Sequence, residues 1–243
     1  MQLILDNHNH TISSGHAYST IKEIAEEAAR RGIKAISITD HGPRIPGSCH
    51  RMHFLSLSSL PDYICGVRVF PGAEVNILNE AGEVDLDERA LKRLTTVIAS
   101  FHPHCNEGGD IATNTNSLLA VMDNRFINII GHPGDPRFML DIEKVVEKAA
   151  ITNTAIEINN TACDPDCNKY PSFPYLKEII KECIRKNVSL SFGSDSHFYT
   201  EVGDFHFAEP LIDELGIPEH LIINYSIDGY MDFVNKKRST LNV

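Results

Sequence analysis

Two short motifs of metal-binding side chains stand near the ends of the chain, His8-Asn9-His10 and Asp195-Ser196-His197. Between them lie His16, His41, Glu74, His102 and His132. Imidazole and carboxylate without thiolate form a donor set suited to zinc, manganese or iron. The chemistry such a set supports is metal-assisted hydrolysis. One histidine by itself is more often a structural or surface residue than a ligand, and an H-x-H pair is a weak signal. The weight of these nine residues comes from where they fall along the chain.

Short β-branched runs alternate with helical patterns. Strands are expected at 3–6, 35–39, 69–74, 97–101, 127–131, 155–159 and 189–193, with an eighth at 221–224. Helices are expected at 20–31, 115–123, 141–150, 174–187, 208–214 and 228–236. The first is the best marked: Thr20 can cap it, Glu23 completes a capping box and Gly32 ends it. Strand then helix, repeated about seven times, predicts a parallel sheet covered by helices. His8 and His10 follow the first strand, with His16 in the loop beyond. His41 follows the second strand and Glu74 ends the third. His102 ends the fourth and His132 the fifth, and Asp195 and His197 follow the seventh. In a closed barrel these ends ring one mouth, whereas an open sheet would spread them along a line. The barrel is therefore expected. Residues two apart on a strand face the same way, so in Ile156-Glu157-Ile158-Asn159 the isoleucines should face the helices, and Glu157 and Asn159 the barrel axis.

The chain has 243 residues, 22 basic and 33 acidic, for a net charge of −11. That length suits one domain, taken as residues 1–243, with a core that needs no disulfide. The acidic balance argues against anionic membranes and against nucleic acid beyond small nucleotides. No apolar run is long enough for a membrane span, and the N-terminus turns polar too soon for a signal peptide. A cytoplasmic location is expected. The six cysteines, at 49, 65, 105, 163, 167 and 183, lack metal or redox spacing and read as reduced thiols. A homo-oligomer is compatible with all of this.

The motifs resemble those of the PHP family, named for polymerases and histidinol phosphatases. His8-Asn9-His10 resembles its first motif, Thr39-Asp40-His41 its second and Gly193-Ser194-Asp195-Ser196-His197 its last. His10-Thr11, Gly15-His16-Ala17-Tyr18-Ser19-Thr20, Asp40-His41-Gly42-Pro43, Ala112-Thr113-Asn114-Thr115, His132-Pro133-Gly134 and Glu157-Ile158-Asn159-Asn160 are similar to the small stand-alone YcdX-type branch. The resemblance runs over nearly the whole chain. It implies a distorted (β/α)7 TIM-like barrel with a trinuclear metal site. It implies that His8, His10, Glu74 and Asp195 hold one ion, and His16, His41 and His197 a second. His102 and His132 would hold the third, with Glu74 bridging. Every one of these positions carries a ligand-type residue here.

Three divalent ions, zinc first with manganese or iron as alternatives, less two carboxylate charges leave about +4 in the site. That attracts a phosphate dianion despite the acidic chain. The expected reaction is hydrolysis of a small phosphate monoester, in which a metal-bound hydroxide bridging two ions attacks phosphorus in line. Asp40 is expected to orient His41 or another ligand. Arg44, Arg51, Arg137, His50 and His53 are candidate substrate contacts, while His104, His206 and His220 read as surface or local hydrogen-bonding residues. The loops 44–68 and 162–170 should shape the substrate pocket. The alternatives are a histidinol-phosphatase specifically, an amidohydrolase-type enzyme acting on a non-phosphate substrate, and a non-catalytic metal-binding module of a larger complex. The ligand-bearing strand ends offer no lysine for the carboxylated form that amidohydrolases often use.

Overall fold

The chain's alternation of strand and helix closes on itself. A computed structural model describes residues 2–165 and 173–240. In chain order its main elements are β1 (Leu5–Asp6), α1 (Ile21–Arg31), β2 (Ala35–Ile38), α2 (Arg51–Ser56), β3 (Tyr63–Ile64), β4 (Val67–Asn76), α3 (Glu88–Leu91), β5 (Thr96–Ser100), α4 (Ile111–Val121), β6 (Ile129–Ile130), α5 (Ile142–Thr152), β7 (Ala155–Asn159), α6 (Phe173–Lys186), β8 (Leu190–Gly193), α7 (Pro210–Leu215) and α8 (Ile227–Thr240). Among the described residues seven strands run parallel in the order β1-β2-β4-β5-β6-β7-β8, and β3 pairs antiparallel with β4. The last gap is bridged beyond the strand ends, where Asp195 N donates to His8 O at 3.0 Å and His10 N to Ser196 O at 2.9 Å. Buried Asp6 fastens the same seam, accepting from Ser194 N at 3.0 Å, Ser194 Oγ at 2.6 Å and Gly203 N at 2.8 Å. The result is a nearly closed barrel of seven parallel strands wrapped by helices, a TIM-like α/β domain.

Side-chain alternation gives the barrel two cores. Outward-facing residues such as Ile36, Ile38, Val97, Ala99, Ile156 and Ile158 pack under the helices. Leu5, Ala35, Phe70, Ile98, Ile129 and Ala155 turn inward at the N-terminal end, where Tyr230, Phe233 and Val234 of α8 cover them. Each large side chain buried in this way contributes about 1.5–3 kcal/mol. Above that apolar plug the interior becomes polar. Asn7 Nδ2 donates to Ser191 Oγ at 3.1 Å, and Thr96 Oγ1 lies 2.7 Å from Ser37 Oγ and 2.5 Å from the Tyr230 hydroxyl. The axis thus grades from apolar to polar toward the strand C-termini, where charged groups gather.

Local signals account for the helices. Thr20 and Glu23 form the capping box of α1, and Gly32 ends it at φ 81°. Asp110 caps α4 earlier than the predicted start at 115, and Asp141 caps α5. Two expectations need correction. Loop 44–68 contains α2 and the β3–β4 hairpin. The segment 221–224 is not a strand but parts of two 3-10 turns, Glu219–Leu221 and Ile223–Tyr225, with one bridge from Ile222 to Leu190. The side chain of Asn224 takes the place of a strand there: Oδ1 accepts from Phe192 N at 2.8 Å, and Nδ2 donates to Phe192 O at 2.8 Å and Leu5 O at 2.9 Å. A buried apolar run supplied the period of a strand, but the seam had room only for an amide. Residues 166–170 of the expected pocket loop, with Cys167, lie outside the described residues. No described helix is long and apolar enough to cross a membrane.

Candidate metal centre

All nine predicted ligands meet at the C-terminal mouth of the barrel. Glu74 lies within β4 and is bridged to His41 of the neighbouring strand end. Its carboxylate stands at the centre, 1% exposed. Oε1 faces His132 Nε2 at 2.9 Å, His102 Nε2 at 3.4 Å and His8 Nε2 at 3.6 Å. Oε2 faces His41 Nδ1 at 2.6 Å and His10 Nε2 at 3.6 Å. Asp195 Oδ1 lies 3.1 Å from His10 Nε2 and 3.4 Å from His8 Nε2. His16 Nε2 is 3.2 Å from His41 Nε2, and the His197 ring centre is 5.0 Å from that of His16 and 4.5 Å from that of His10. Two of these residues sit on positive φ, His132 at 28° and Asp195 at 57°. Backbone of that kind costs about 1–3 kcal/mol and persists where the surroundings impose it.

Packing polar atoms together in this way is unfavourable unless something satisfies them. His8 Nε2, His10 Nε2, His41 Nδ1 and Glu74 Oε2 are buried without a well-aligned hydrogen bond, although His41 Nδ1 and Glu74 Oε2 approach to 2.6 Å. Leaving one such group unsatisfied costs about 1–3 kcal/mol. Ligand atoms in three overlapping groups lie within 4.8 Å of one another: His10, His41 and His197; His8, His10 and Glu74; His41, Glu74 and His102. Buried lone pairs converging on a shared space fit divalent cations, and among the described residues no lysine or arginine pairs with either carboxylate.

The electrostatics divide the histidines. Burial pushes His10 down to about 3, helped by the neighbouring His41 and His197. Burial also lowers His16 and His102, in the second case against the pull of Glu74. For His132 burial is outweighed by the hydrogen bond and charge of Glu74, which lift it to about 9. His8 is likewise raised despite burial, by Glu157, Asp195 and Glu74. Burial disfavours charge on Glu74 and Asp195, but the surrounding imidazoles hold both well below the ordinary carboxylate range. Both are therefore anionic and able to ligate at neutral pH.

Behind the candidate ligands stands a set of orienting groups that the sequence only partly indicated. Glu157, expected to face the axis, accepts from His8 Nδ1 at 2.6 Å and from His132 N at 2.7 Å. Asn76 Oδ1 is 2.7 Å from His102 Nδ1. His197 Nδ1 donates to Asp195 O at 2.9 Å. Asp40 accepts from Ser14 Oγ at 2.7 Å, and that hydroxyl in turn lies 3.1 Å from His10 Nδ1. Asp40 thus acts toward His10 through Ser14, while His41 receives its backbone anchor from Ser14 Oγ at 3.1 Å. Hydrogen bonds to the outer ring nitrogen fix which nitrogen is left to bind metal. The signal for Glu157 was strand parity. Ser14 and Asn76 had none, because Ser14 lies in a loop without a period and Asn76 lies two positions beyond the predicted end of the third strand.

The cleft above the cluster is lined by His16, His41, His102, His132, Asp195 and His197, with Phe101, Asp135, Arg137, Asn159, Thr161 and Ala162 around them. Of the candidate substrate contacts, Arg137 lies in this lining, its guanidinium paired with Asp135. Arg51 is instead paired with Asp87 at 2.6 Å, and the exposed Arg44 is anchored through its backbone N to Asp85. His50 caps α2, accepting from Met52 N at 3.2 Å. His53 Nε2 donates to Asp40 Oδ2 at 2.9 Å, behind the ligands. His206 and His220 bond locally to Asp204 and Asn187, and His104 is exposed.

Fold and site together define a parallel-barrel protein with a candidate metal centre at its mouth. The PHP domain model matches residues 6–161. A probable phosphatase of Syntrophotalea carbinolica is 42% identical over 231 residues, 95% of each chain. One of Acetivibrio thermocellus is 39% identical over 241 residues, 99% of each. The fold is also that of the histidinol phosphate phosphatase of Lactococcus lactis, solved with zinc, L-histidinol and phosphate (TM-score 0.58, 17% identity, 90% of this chain and 95% of that one). The chain belongs to the PHP family. Its full-length relatives are probable phosphatases, and that is the enzyme class in which it falls.

Proposed function

We propose that this protein hydrolyses phosphate monoesters of a small metabolite with three divalent ions, zinc first. In this reading His8, His10, Glu74 and Asp195 hold one ion, His16, His41 and His197 a second, and His102 and His132 a third, with Glu74 shared. The observation that carries it is Glu74: its two oxygens face two different sets of imidazole nitrogens, and three of those nitrogens, with Glu74 Oε2 itself, are buried without a well-aligned hydrogen bond. When bound, such ions activate water at neutral pH and offset charge on phosphoryl oxygens. The chain's own part is positional. Asn159 Nδ2 donates to Asp195 Oδ2 at 3.1 Å and keeps the carboxylate turned inward. Phe101, stacked on Phe138 at 4.7 Å, gives the cleft an apolar wall for the ester's organic group. Arg137, its guanidinium held by Asp135, places hydrogen-bond donors at the rim.

The name of the Lactococcus lactis protein makes histidinol phosphate one arm of a substrate panel. The cleft lining contains no lysine among the described residues, which gives the amidohydrolase alternative no support. Protein purified without chelator should carry close to three ions per chain by metal analysis. It should hydrolyse p-nitrophenyl phosphate, lose that activity to chelator and regain it with Zn2+. Glu74→Ala should abolish turnover while the far-ultraviolet circular dichroism stays unchanged. Full activity in Glu74→Ala, or none in metal-replete wild type on any phosphomonoester, would rule the reading out.

A further inference from the structure

β4 carries two residues into the mouth, Glu74 and, two positions on, Asn76. Asn76 is fully buried, and its side-chain oxygen lies 2.7 Å from His102 Nδ1. An amide has an accepting end and a donating end, and either could be turned toward an imidazole. The choice decides which ring nitrogen of His102 bears the proton. If the oxygen faces Nδ1, then Nδ1 carries hydrogen and Nε2, 3.4 Å from Glu74 Oε1, keeps its lone pair. If the NH2 faces Nδ1, then Nε2 is protonated and cannot ligate.

The residue that makes this choice is Asp85. Asn76 Nδ2 donates to Asp85 Oδ2 at 2.6 Å, and an ionised carboxylate only accepts. The NH2 is thereby committed to Asp85 and the oxygen to His102. Asp85 is in turn fixed by backbone, accepting from Asn76 N at 2.9 Å on Oδ1 and Arg44 N at 3.0 Å on Oδ2. The chain returns alongside β4 through an antiparallel bridge of Ile77 with Val84, which delivers Asp85 opposite Asn76. Gly42 leaves the space: a Cβ there would collide with the Asp85 carboxylate. We propose that Asp85 is a positioning residue for His102, acting through Asn76 to hold the imidazole in the tautomer that presents Nε2 to the cluster. The proposal rests on reading the cluster as a metal centre.

Two variants separate this role from a plain loop staple. Asp85→Ala removes both acceptors, whereas Asp85→Asn keeps one oxygen that can still receive Asn76 Nδ2 and Arg44 N and gives up only the bond from Asn76 N. Both remove the same charge. His102 is observed by long-range 1H–15N correlation in chelator-treated protein at pH 8, and Zn2+ binding is titrated against a competing chelator. Wild type and Asp85→Asn should show the Nδ1–H form. Asp85→Ala should lose it and bind its weakest Zn2+ about 10–100-fold less tightly, the range found for removing groups behind a ligand. An Nε2–H tautomer in the wild type would overturn the proposal without any variant being needed, as would indistinguishable Ala and Asn variants. Since the tautomer is read without substrate, an inactive wild type with the Nδ1–H form would count against the phosphatase reading and leave this one standing.

Discussion

His8 and Glu157 are joined through His8 Nδ1 and Glu157 Oε1 at 2.6 Å, and both are at most 1% exposed. The second oxygen of Glu157 accepts from His132 N at 2.7 Å, so one carboxylate sets the orientation of candidate ligands from two strands. Gln at this position could accept from only one of the two donors and would turn its NH2 on the other. Glu157→Gln is expected to weaken Zn2+ binding about 10–100-fold. Isothermal titration of metal-free protein checks this, and unchanged affinity would show that Glu157 only fills space.

That close approach depends on Gly193 in the next strand. A Cβ there would collide with Glu157 Oε1 and come within 2.7 Å of His8 Cβ. Gly193 needs no special backbone conformation, so alanine tests the space alone. Gly193→Ala should lower stability by about 1–3 kcal/mol, as overpacking does, and weaken metal binding with it. Urea unfolding and the same titration measure both. A variant as stable as wild type, with full Zn2+ affinity, would mean that the seam yields easily.

Arg137 and Arg51 provide a matched pair for substrate contact. Arg137 lies in the cleft lining, while Arg51 pairs with Asp87 and is absent from it. Arg137→Ala should raise KM for a phosphomonoester about tenfold, or about 1.4 kcal/mol of binding, with a smaller effect on kcat. Arg51→Ala should leave both parameters near wild type. Equal effects of the two changes would remove Arg137 from the substrate.

Far from the mouth, α8 carries a fully buried amine. Lys237 Nζ donates to Met122 O and Thr154 Oγ1, each at 2.8 Å. Burial brings its pKa down from 10.5 to about 7. Between those values the unfolded chain binds a proton that the folded chain has released, so this group makes stability rise with pH there. Below about pH 7 both forms are protonated and the dependence ends. Wild-type stability minus that of Lys237→Met should therefore rise as pH goes from 7 to 10. Parallel stability curves from denaturant unfolding would show that the amine stays charged in the fold.

The clustering of the nine candidate ligands was legible because metal chemistry restricts residue types and strands deliver them at fixed places. His8 with His10, Glu74, His102, His132 and Asp195 with His197 all mark strand ends that the apolar periodicity had already drawn. Glu157 was half legible, since parity aimed it inward without naming its partner. Asp85, Ser14 and Asn76 were not, because hydrogen-bonding types are common and only a shared location gives them a role. The run at 221–224 misled, because burial alone gives helix turns and strands the same apolar composition.

By itself the sequence determined the donor atoms, the alternating elements and hence a barrel mouth as the meeting place. Those depend on residue chemistry and short-range period, which are local properties. Only the tertiary structure decided that Glu74 turns its two oxygens to different imidazoles, that Asp40 reaches His10 through Ser14, and that Arg51 lies outside the cleft. The Glu74 contacts, the Asp40–Ser14 bond and the Arg51–Asp87 pair each join residues far apart in the chain. Such contacts are set by how the closed barrel packs side chains across its axis, which no local pattern encodes.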